Sequence, residues 1–167
     1  DGTRKYLFEL PDGQLIESVL IAFDDRPSLT ACLSSQVGCA VGCTFCATGY
    51  LGFKRNLTSQ EIVDQILAIQ RESGQRVGNI VYMGQGEPLL NCKEVIKSLH
   101  LVMESVGIGA RHITVSTSGI VPGIDALARE NLPITLALSL HAPDTETREE
   151  IVPITTKYPI HQVTEAM

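Results

Sequence analysis

The feature that most constrains the fold is an alternation of short apolar segments with longer segments of helical periodicity after residue 27. The apolar runs cover residues 31–35, 79–83, 113–117 and 134–140, and helical segments separate them. This order predicts βαβ units and a parallel α/β sheet. Four parallel strands do not close a barrel, and another helix begins near residues 159–163. We therefore interpret the chain as the central fragment of a longer protein.

The first 26 residues have a different pattern. Apolar-rich segments at residues 6–10 and 15–21 flank Pro11, Asp12 and Gly13, which predicts an antiparallel hairpin with a tight turn. We expect two units: an N-terminal β-hairpin segment over residues 1–26 and an α/β core over residues 27–167.

One helix start is marked clearly. Residues 58–61, with the sequence TSQE, have the form of a capping box, and Ile62, Val63 and Ile66 follow at helical spacing. The pattern predicts that this helix directly follows a loop over residues 36–57.

Charge and hydropathy exclude several classes of protein. The net charge of −6 gives no general attraction to nucleic acids, and no run of 18 apolar residues predicts a membrane span. Lys54 and Arg55, with Arg4 and Lys5, could contact phosphate, although so few charges are more often just solvated surface. We expect a cytoplasmic protein without membrane contact.

Polar or glycine-rich residues follow all four predicted core strands. They are the cysteine-containing loop, residues 84–87 (GQGE), residues 116–118 (STS) and residues 139–141 (SLH). In parallel α/β folds, the carboxyl ends of the strands form the ligand-binding edge. The pattern predicts one binding site there.

Cys39, Cys43 and Cys46 form a C-x3-C-x2-C pattern in this loop. Three thiolates can ligate three irons of a [4Fe–4S] cluster and leave the fourth iron open. An open iron can bind the amino and carboxylate groups of S-adenosylmethionine, which an electron then cleaves to a carbon radical. The alternative is a zinc site with Cys32 or a histidine as the fourth ligand. The position of the loop after the first core strand, and Phe45 before the last cysteine, resemble the radical S-adenosylmethionine superfamily.

A narrower resemblance rests on several motifs in consistent order. They are residues 32–39 (CLSSQVGC), 52–57 (GFKRNL), 83–91 (MGQGEPLLN), 115–119 (VSTSG), 139–143 (SLHAP) and 148–154 (REEIVPI). Together they resemble the dual-specificity RNA adenine C2-methyltransferases, and the resemblance extends from about residue 1 to 158.

The resemblance implies a partial (β/α) barrel of the radical SAM type, here truncated. It implies methylation of carbon 2 of adenine in 23S ribosomal RNA and transfer RNA through a 5′-deoxyadenosyl radical, with an electron donor such as flavodoxin. The implied cofactors are a [4Fe–4S] cluster, held by Cys39, Cys43 and Cys46, and S-adenosylmethionine. The residues expected to contact S-adenosylmethionine are Gly86, Glu87, Ser116, Ser139, Leu140 and His141, and the Glu87 carboxylate is expected to accept a hydrogen bond from the methionine ammonium.

The remaining cysteines have separate expectations. By resemblance, Cys32 is catalytic and removes a proton from a covalent protein–RNA adduct, whereas the alternative is a small buried strand residue. Cys92 has no counterpart in the family pattern and is interpreted as structural. The methyl-carrying cysteine of the family lies beyond the equivalent of Met167, so the chain alone is expected to be inactive in methyl transfer. Two further functions stay open: a related adenine C8-methyltransferase of the antibiotic-resistance type and a zinc-binding module without catalysis.

Overall fold

The computed structural model describes residues 2–23 and 26–167. Its strands are β1 (Arg4–Glu9), β2 (Leu15–Phe23), β3 (Arg26–Cys32), β4 (Gln36–Gly38), β5 (Phe53–Asn56), β6 (Val77–Tyr82), β7 (Ile113–Thr117) and β8 (Thr135–Leu138). Its α-helices are α1 (Ala47–Tyr50), α2 (Ser59–Ser73), α3 (Cys92–Leu101), α4 (Val121–Arg129), α5 (Thr145–Ile151) and α6 (Ile160–Ala166). No described helix is both long and apolar enough to cross a membrane.

Six strands form one mixed sheet in the order β1-β2-β3-β6-β7-β8. The pairs β1–β2 and β2–β3 are antiparallel, whereas β3–β6, β6–β7 and β7–β8 are parallel. The predicted hairpin is present, with Gly13 at φ +78° in its turn. It also continues into the core, because β2 pairs with β3 in register Leu20 to Ala31. The division into two units at residue 26 stays a prediction.

The core lies between the sheet and helices α2, α3 and α4, which pack side by side. Each helix contributes an apolar stripe at helical spacing, as an amphipathic helix against a sheet requires. Buried members include Ile62, Ile66 and Ile69 of α2, Val95 and Leu99 of α3, Ile124 of α4, and Ile80, Ile113 and Val115 of the sheet.

The start of α2 confirms the predicted capping box. The Thr58 side chain accepts a hydrogen bond from the Glu61 backbone amide at 3.2 Å, and the Glu61 carboxylate accepts one from the Thr58 amide at 2.9 Å. The helix ends at Gly74, whose φ of +67° is favourable for glycine.

Several boundaries differ from the predictions. The first core strand begins at Arg26 rather than at residue 31, and the last core strand ends at Leu138 rather than at residue 140. The first parallel strand ends at Cys32 rather than at residue 35, because buried Ser34 and Ser35 leave the ladder and bond other groups. The Ser34 amide, for example, donates to Gln65 Oε1 at 2.9 Å. The predicted loop over residues 36–57 contains β4, α1 and β5, with β4 and β5 forming a small antiparallel ribbon. The capping-box helix therefore follows β5.

Candidate functional site

The carboxyl ends of β3, β6, β7 and β8 surround a cleft of about 270 Å³. Its walls come from the cysteine loop and from the segments that follow the three other strands. The lining residues are Val41, Cys43, Phe45, Cys46, Tyr82, Met83, Gly84, Gly86, Glu87, Pro88, Ser116, Thr117, Ser118, Ser139 and His141. The predicted binding edge of the sheet is therefore a concave surface.

Most of the residues predicted for the site line this cleft, but three do not. Cys39, Leu140 and Cys32 are absent from its walls. Leu140 is 39% exposed, and its carbonyl accepts from Arg148 Nε and from the Ala142 amide. The roles assigned to all these residues stay predictions.

The cysteine loop is anchored at its base and along its length. Asn91 is buried at the start of α3, and its side-chain amide donates to the carbonyls of Ser35 and Leu57, both at 2.8 Å. These carbonyls lie at the two ends of the loop, so Asn91 closes it. Farther along, the Thr44 amide donates to the Ile151 carbonyl at 3.1 Å, which connects the loop to the end of α5.

The three loop thiols are free, partly buried and electrostatically coupled. Burial first, and then the neighbouring Cys39 and Cys46 thiols, raise the pKa of Cys43 to about 11. Burial also raises the pKa of Cys39, with smaller contributions from Glu87 and Cys46. Like charges that approach one another disfavour ionisation. Metal ligation requires thiolates, and a bound cationic centre would stabilise them and so lower the raised pKa values of these thiols.

The donor set fits an iron–sulfur cluster in its chemistry and location: three thiols on one short loop at the ligand-binding edge. Within residues 2–23 and 26–167, however, no three His, Cys, Asp or Glu side chains are arranged so that they could hold a metal ion. The thiols would have to reorient to share a cluster, and the ligand assignment stays a prediction.

Two glycines after β6 are required by packing of the protein itself. A Cβ on Gly84 would lie 2.8 Å from the Leu33 carbonyl carbon, and one on Gly86, at φ +99°, would lie 2.5 Å from Gln36 Cβ. Real Cβ atoms do not make such contacts. Glycine at these positions lets the segment after β6 pack directly against the Leu33 backbone and against Gln36 at the start of β4.

Glu87 is 4% exposed and already has four protein donors. Its Oε1 accepts from the Leu89 amide at 2.9 Å and Thr117 Oγ1 at 2.8 Å, and its Oε2 accepts from the Ser118 amide at 2.7 Å and Ser118 Oγ at 2.8 Å. A carboxylate has about four acceptor positions. Glu87 therefore connects the segments after β6 and β7, and a methionine ammonium could bond its carboxylate only by displacing one of these donors.

Residues at the carboxyl end of β7 and after β8 complete the cleft. The hydroxyls of Ser116 and Ser139 are 3.1 Å apart and share one hydrogen bond, so each keeps further capacity for a ligand. His141 has a φ of +62°, which is uncommon for a residue with a Cβ. Its ring lies 4.5 Å from that of Phe45, at an interplanar angle of 57°. This pair joins the cysteine loop to the β8 segment.

Arg148 is a functional candidate that sequence reasoning missed. It is 1% exposed on α5. It donates to the carbonyls of Ser118 at 2.5 Å, Ser139 at 3.1 Å and Leu140 at 2.9 Å, and to Thr155 Oγ1 at 2.7 Å. No described carboxylate pairs with it, whereas Cys43 is close enough to influence its pKa, which burial lowers. The sequence analysis included Arg148 only as part of the 148–154 motif and gave it no role, because arginine on a short polar helix is normally exposed.

The two remaining cysteines lie in different surroundings. Cys32 is buried at the end of β3, where burial raises its pKa and the Met83 backbone hydrogen-bonds its thiol. Met83 lines the cleft and Cys32 does not, so the Cys32 thiol contacts the cleft wall through the Met83 backbone. Cys92 contacts α4, with its thiol 3.6 Å from the Gly123 carbonyl oxygen. That contact agrees with a structural interpretation of Cys92.

Comparison with known proteins identifies the family. Residues 33–167, which include the cysteine loop and the whole cleft, match the Radical SAM superfamily. The chain belongs to this superfamily. Membership implies a [4Fe–4S] cluster and S-adenosylmethionine as cofactors.

Curated relatives and a solved structure agree with this assignment. A probable dual-specificity RNA methyltransferase RlmN from Dictyoglomus thermophilum is 53% identical over 99% of this chain and 48% of its own length. A protein of the same name from Thermotoga neapolitana is 53% identical over 100% of the chain and 49% of its own length. A crystal structure of a radical SAM methyltransferase from Sphaerobacter thermophilus superposes with a TM-score of 0.92 at 48% identity, covering 98% of this chain and 49% of that one. The chain thus spans about half the length of the relatives it matches, and its partial barrel corresponds to part of theirs.

Proposed function

We propose that this chain is the cofactor-binding part of a radical S-adenosylmethionine enzyme that methylates carbon 2 of adenine in 23S ribosomal RNA and transfer RNA. The observation that carries the proposal is the 53% identity, over 99% of the chain, to a relative named as a dual-specificity RNA methyltransferase. The cleft at the carboxyl edge of the sheet supports it, because that edge carries the chemistry of parallel α/β folds. The RNA substrates imply a cytoplasmic location, and the reductive cleavage of S-adenosylmethionine requires an electron donor such as flavodoxin.

Cys39, Cys43 and Cys46 would hold the cluster at the mouth of the cleft. When bound, the cluster supplies the electron that cleaves S-adenosylmethionine. The protein's own contribution is to hold the loop in place. Asn91 closes its base, and the Thr44 bond to Ile151 fixes its far side. A site held by such bonds binds a cofactor with little loss of conformational freedom.

The residues proposed to contact S-adenosylmethionine divide by chemistry. Gly86 exposes backbone, Ser116 and Ser139 offer hydroxyls, and His141 with Phe45 offers an aromatic wall beside the cysteine loop. Glu87 holds the Thr117 and Ser118 side chains at the cleft. Arg148 fixes the backbone carbonyls after β7 and β8. Together they would orient the methionine and adenosine portions of one ligand.

Cys32 is proposed as the group that removes the proton from the methylated adduct. Its thiol lies behind Met83 at the cleft wall, and burial raises its pKa. A thiol must be ionised to act as a base, so the reaction step that uses Cys32 should accelerate with rising pH.

The first experiment tests cofactor chemistry in the 167-residue chain. Anaerobic reconstitution with iron and sulfide should give about four irons per chain, and reduction with S-adenosylmethionine should yield 5′-deoxyadenosine. Cys43→Ala should lose both, whereas the matched control Cys92→Ala should keep both. Zinc binding without iron uptake would instead support the non-catalytic module.

The second experiment tests substrate and position. The complete reading frame that contains this chain, rather than the 167-residue chain alone, is expressed in cells that lack adenine C2 methylation. Ribosomal and transfer RNA from these cells are then digested to nucleosides. We expect 2-methyladenosine in both. Appearance of 8-methyladenosine alone would support the C8 alternative, and absence of both products would contradict an RNA methyltransferase.

A further inference from the structure

Arg148 is a buried cation whose charge is not balanced by any described carboxylate. The residue is 1% exposed, and within residues 2–23 and 26–167 no carboxylate forms an ion pair with it. Its hydrogen-bond partners are three backbone carbonyls and the Thr155 hydroxyl, which are all uncharged. Moving a charge out of water is unfavourable, and buried charges in proteins are normally paired with opposite ones. The burial of Arg148 therefore indicates that an anion belongs nearby.

The backbone around Arg148 is connected to the cysteine loop. The Arg148 carbonyl accepts a hydrogen bond from the Val152 amide at 2.7 Å, and the Ile151 carbonyl accepts one from the Thr44 amide at 3.1 Å. Thr44 directly follows Cys43, so the helix that carries Arg148 is bonded to the loop beside a predicted cluster ligand. Cys43 is also close enough for its charge to act on the guanidinium. The cysteine loop is therefore the place where the balancing anion would lie.

The guanidinium is out of reach of a ligand in the cleft. Arg148 does not line the cleft, and each of its three side-chain nitrogens already donates to a protein acceptor. A ligand carboxylate or phosphate could bond it only by displacing a buried carbonyl or hydroxyl. The charge of Arg148 therefore acts on the site through space, and in a protein interior such interactions extend beyond contact distance.

We propose that Arg148 is the buried counter-charge of the iron–sulfur cluster and raises the reduction potential of that cluster. With three thiolates the cluster is an anion in both oxidation states, and one electron from the reductant adds one more negative charge. A fixed cation beside Cys43 stabilises the reduced state more than the oxidised state. The proposal rests on the proposed cofactor chemistry and deepens it, since a higher potential lets a milder reductant supply the electron.

Glu87 carries the opposite charge on the other side of Ser118. Its carboxylate bonds the Ser118 amide, whereas Arg148 bonds the Ser118 carbonyl. Glu87 is close enough to Cys39 and Cys43 for its charge to act on both thiols. Neutralising Glu87 and neutralising Arg148 should therefore shift the potential in opposite directions. Damage to the fold alone would not produce this difference in sign.

The test is the reduction potential of the reconstituted 167-residue chain, measured without S-adenosylmethionine from the EPR signal of the reduced cluster at a series of applied potentials. Arg148→Gln should lower the ratio of reduced to oxidised cluster at a fixed potential about tenfold, which is about 59 mV for one electron. Arg148→Met, a second neutral variant, should match it. Glu87→Gln should raise the ratio. Arg148→Lys keeps the charge and should stay within about twofold of the wild type.

Two control variants separate charge from structure. Thr155→Val removes a buried hydrogen-bond partner of Arg148 but no charge, and Arg129→Gln removes an exposed charge on α4. Both should keep the wild-type ratio. Iron content and the midpoint of thermal unfolding are measured for every variant, so that loss of the cluster or of the fold is distinguished from a change in potential.

The outcomes decide between a role of the charge and a role in structure only. Potentials that do not differ between the wild type and the neutral variants, or Arg148→Lys behaving like Arg148→Gln, would overturn the proposal. So would shifts of the same sign in Arg148→Gln and Glu87→Gln. Loss of iron from both neutral variants, with iron retained by Arg148→Lys, would support it, whereas loss from all three would assign Arg148 a structural role.

Failure of this role is distinguishable from failure of the proposed function. S-adenosylmethionine cleavage by the wild type is measured in parallel. A wild-type chain that cleaves S-adenosylmethionine but shows no charge-dependent shift refutes the role of Arg148 alone. A wild-type chain that takes up no iron refutes the proposed function and this role together.

Discussion

At the scale of single residues, the buried side chains of Glu87 and Arg148 beside the cleft form their hydrogen bonds with other groups of the protein. Glu87 accepts hydrogen bonds from two segments of the edge, and Arg148 donates to two. They meet at Ser118, whose amide bonds Glu87 and whose carbonyl bonds Arg148. The Glu87 carboxylate thus fixes the backbone amide of Ser118, and the Arg148 guanidinium fixes its backbone carbonyl.

The first prediction concerns Glu87. Replacing it by glutamine puts an amide NH2 against donors from Thr117 and Ser118, so Glu87→Gln should lower the free energy of unfolding by about 2 kcal/mol even without ligand. Urea denaturation of the two proteins measures the difference. Unchanged stability combined with lost S-adenosylmethionine binding would show that Glu87 acts only as a ligand contact.

The second prediction concerns Arg148. Arg148→Met keeps most of the side-chain volume but removes the donors to the Ser118 and Ser139 carbonyls and to the buried Thr155 hydroxyl, so it should cost about 3 kcal/mol of stability. Arg129→Met is the matched control, since Arg129 is exposed on α4, and it should stay within about 0.5 kcal/mol of the wild type. Arg148→Lys keeps the charge but not the planar fork and should lie between them. Equal stability of the Arg148 and Arg129 variants would contradict this account.

At the scale of elements, the N-terminal hairpin, the β4–β5 ribbon and α2 are joined through Arg55. Its guanidinium donates to Asp12 Oδ2 at 2.6 Å and bidentately to Glu61 at 2.9 Å. Asp12 lies in the hairpin turn and Glu61 in the first turn of α2. The Arg55 hydrogen bond is the main reason that the pKa of Glu61 is lowered.

The third prediction follows from that pKa direction. A carboxyl with a lowered folded pKa contributes stability above its ordinary pKa of 4.5 and loses it as the pH falls through the folded value. The wild type should therefore lose stability below about pH 5, and Glu61→Gln should lose less over the same range. At pH 7 the variant should be about 1 kcal/mol less stable, a modest figure because the pair is partly solvated. Glu72→Gln, exposed on the same helix, should retain the wild-type pH profile; identical profiles for all three proteins would refute the assignment.

The elements also show what sequence can predict. The capping box at Thr58 and the apolar spacing of α2 are local signals, and the structure confirms both. The strand end at Cys32 could not be predicted, because it depends on Gln65, 31 residues beyond Ser34, bonding the Ser34 amide. Arg148 and Asn91 belong to motifs of the family resemblance, but their structural roles could not be predicted, since their partners lie on other elements. Local propensity carries no information about such long-range hydrogen bonds.

At the scale of the whole molecule, one sheet edge organises the chemistry. The motifs after β3, β6, β7 and β8 are far apart in sequence, and parallel strand order brings them to one cleft. That convergence was predictable, because the carboxyl ends of parallel strands meet at one edge. A second concave surface, a groove of about 300 Å³ where the hairpin turn approaches the β4–β5 ribbon, was not predictable. It depends on a contact between segments with no shared motif.

The last prediction concerns how the cleft and the rest of the chain respond to the proposed cofactor. S-adenosylmethionine added to the reconstituted chain should slow amide hydrogen exchange in the cleft segments after β6, β7 and β8, since ligands stabilise the states that bind them. The hairpin turn around Gly13 should not respond, because it does not line the cleft. Mass spectrometry of peptic peptides resolves these segments, and the turn of α2 into β6 around Gly74 serves as an internal reference. Protection of the Gly74 turn or of the hairpin turn would indicate general stabilisation rather than binding in the cleft.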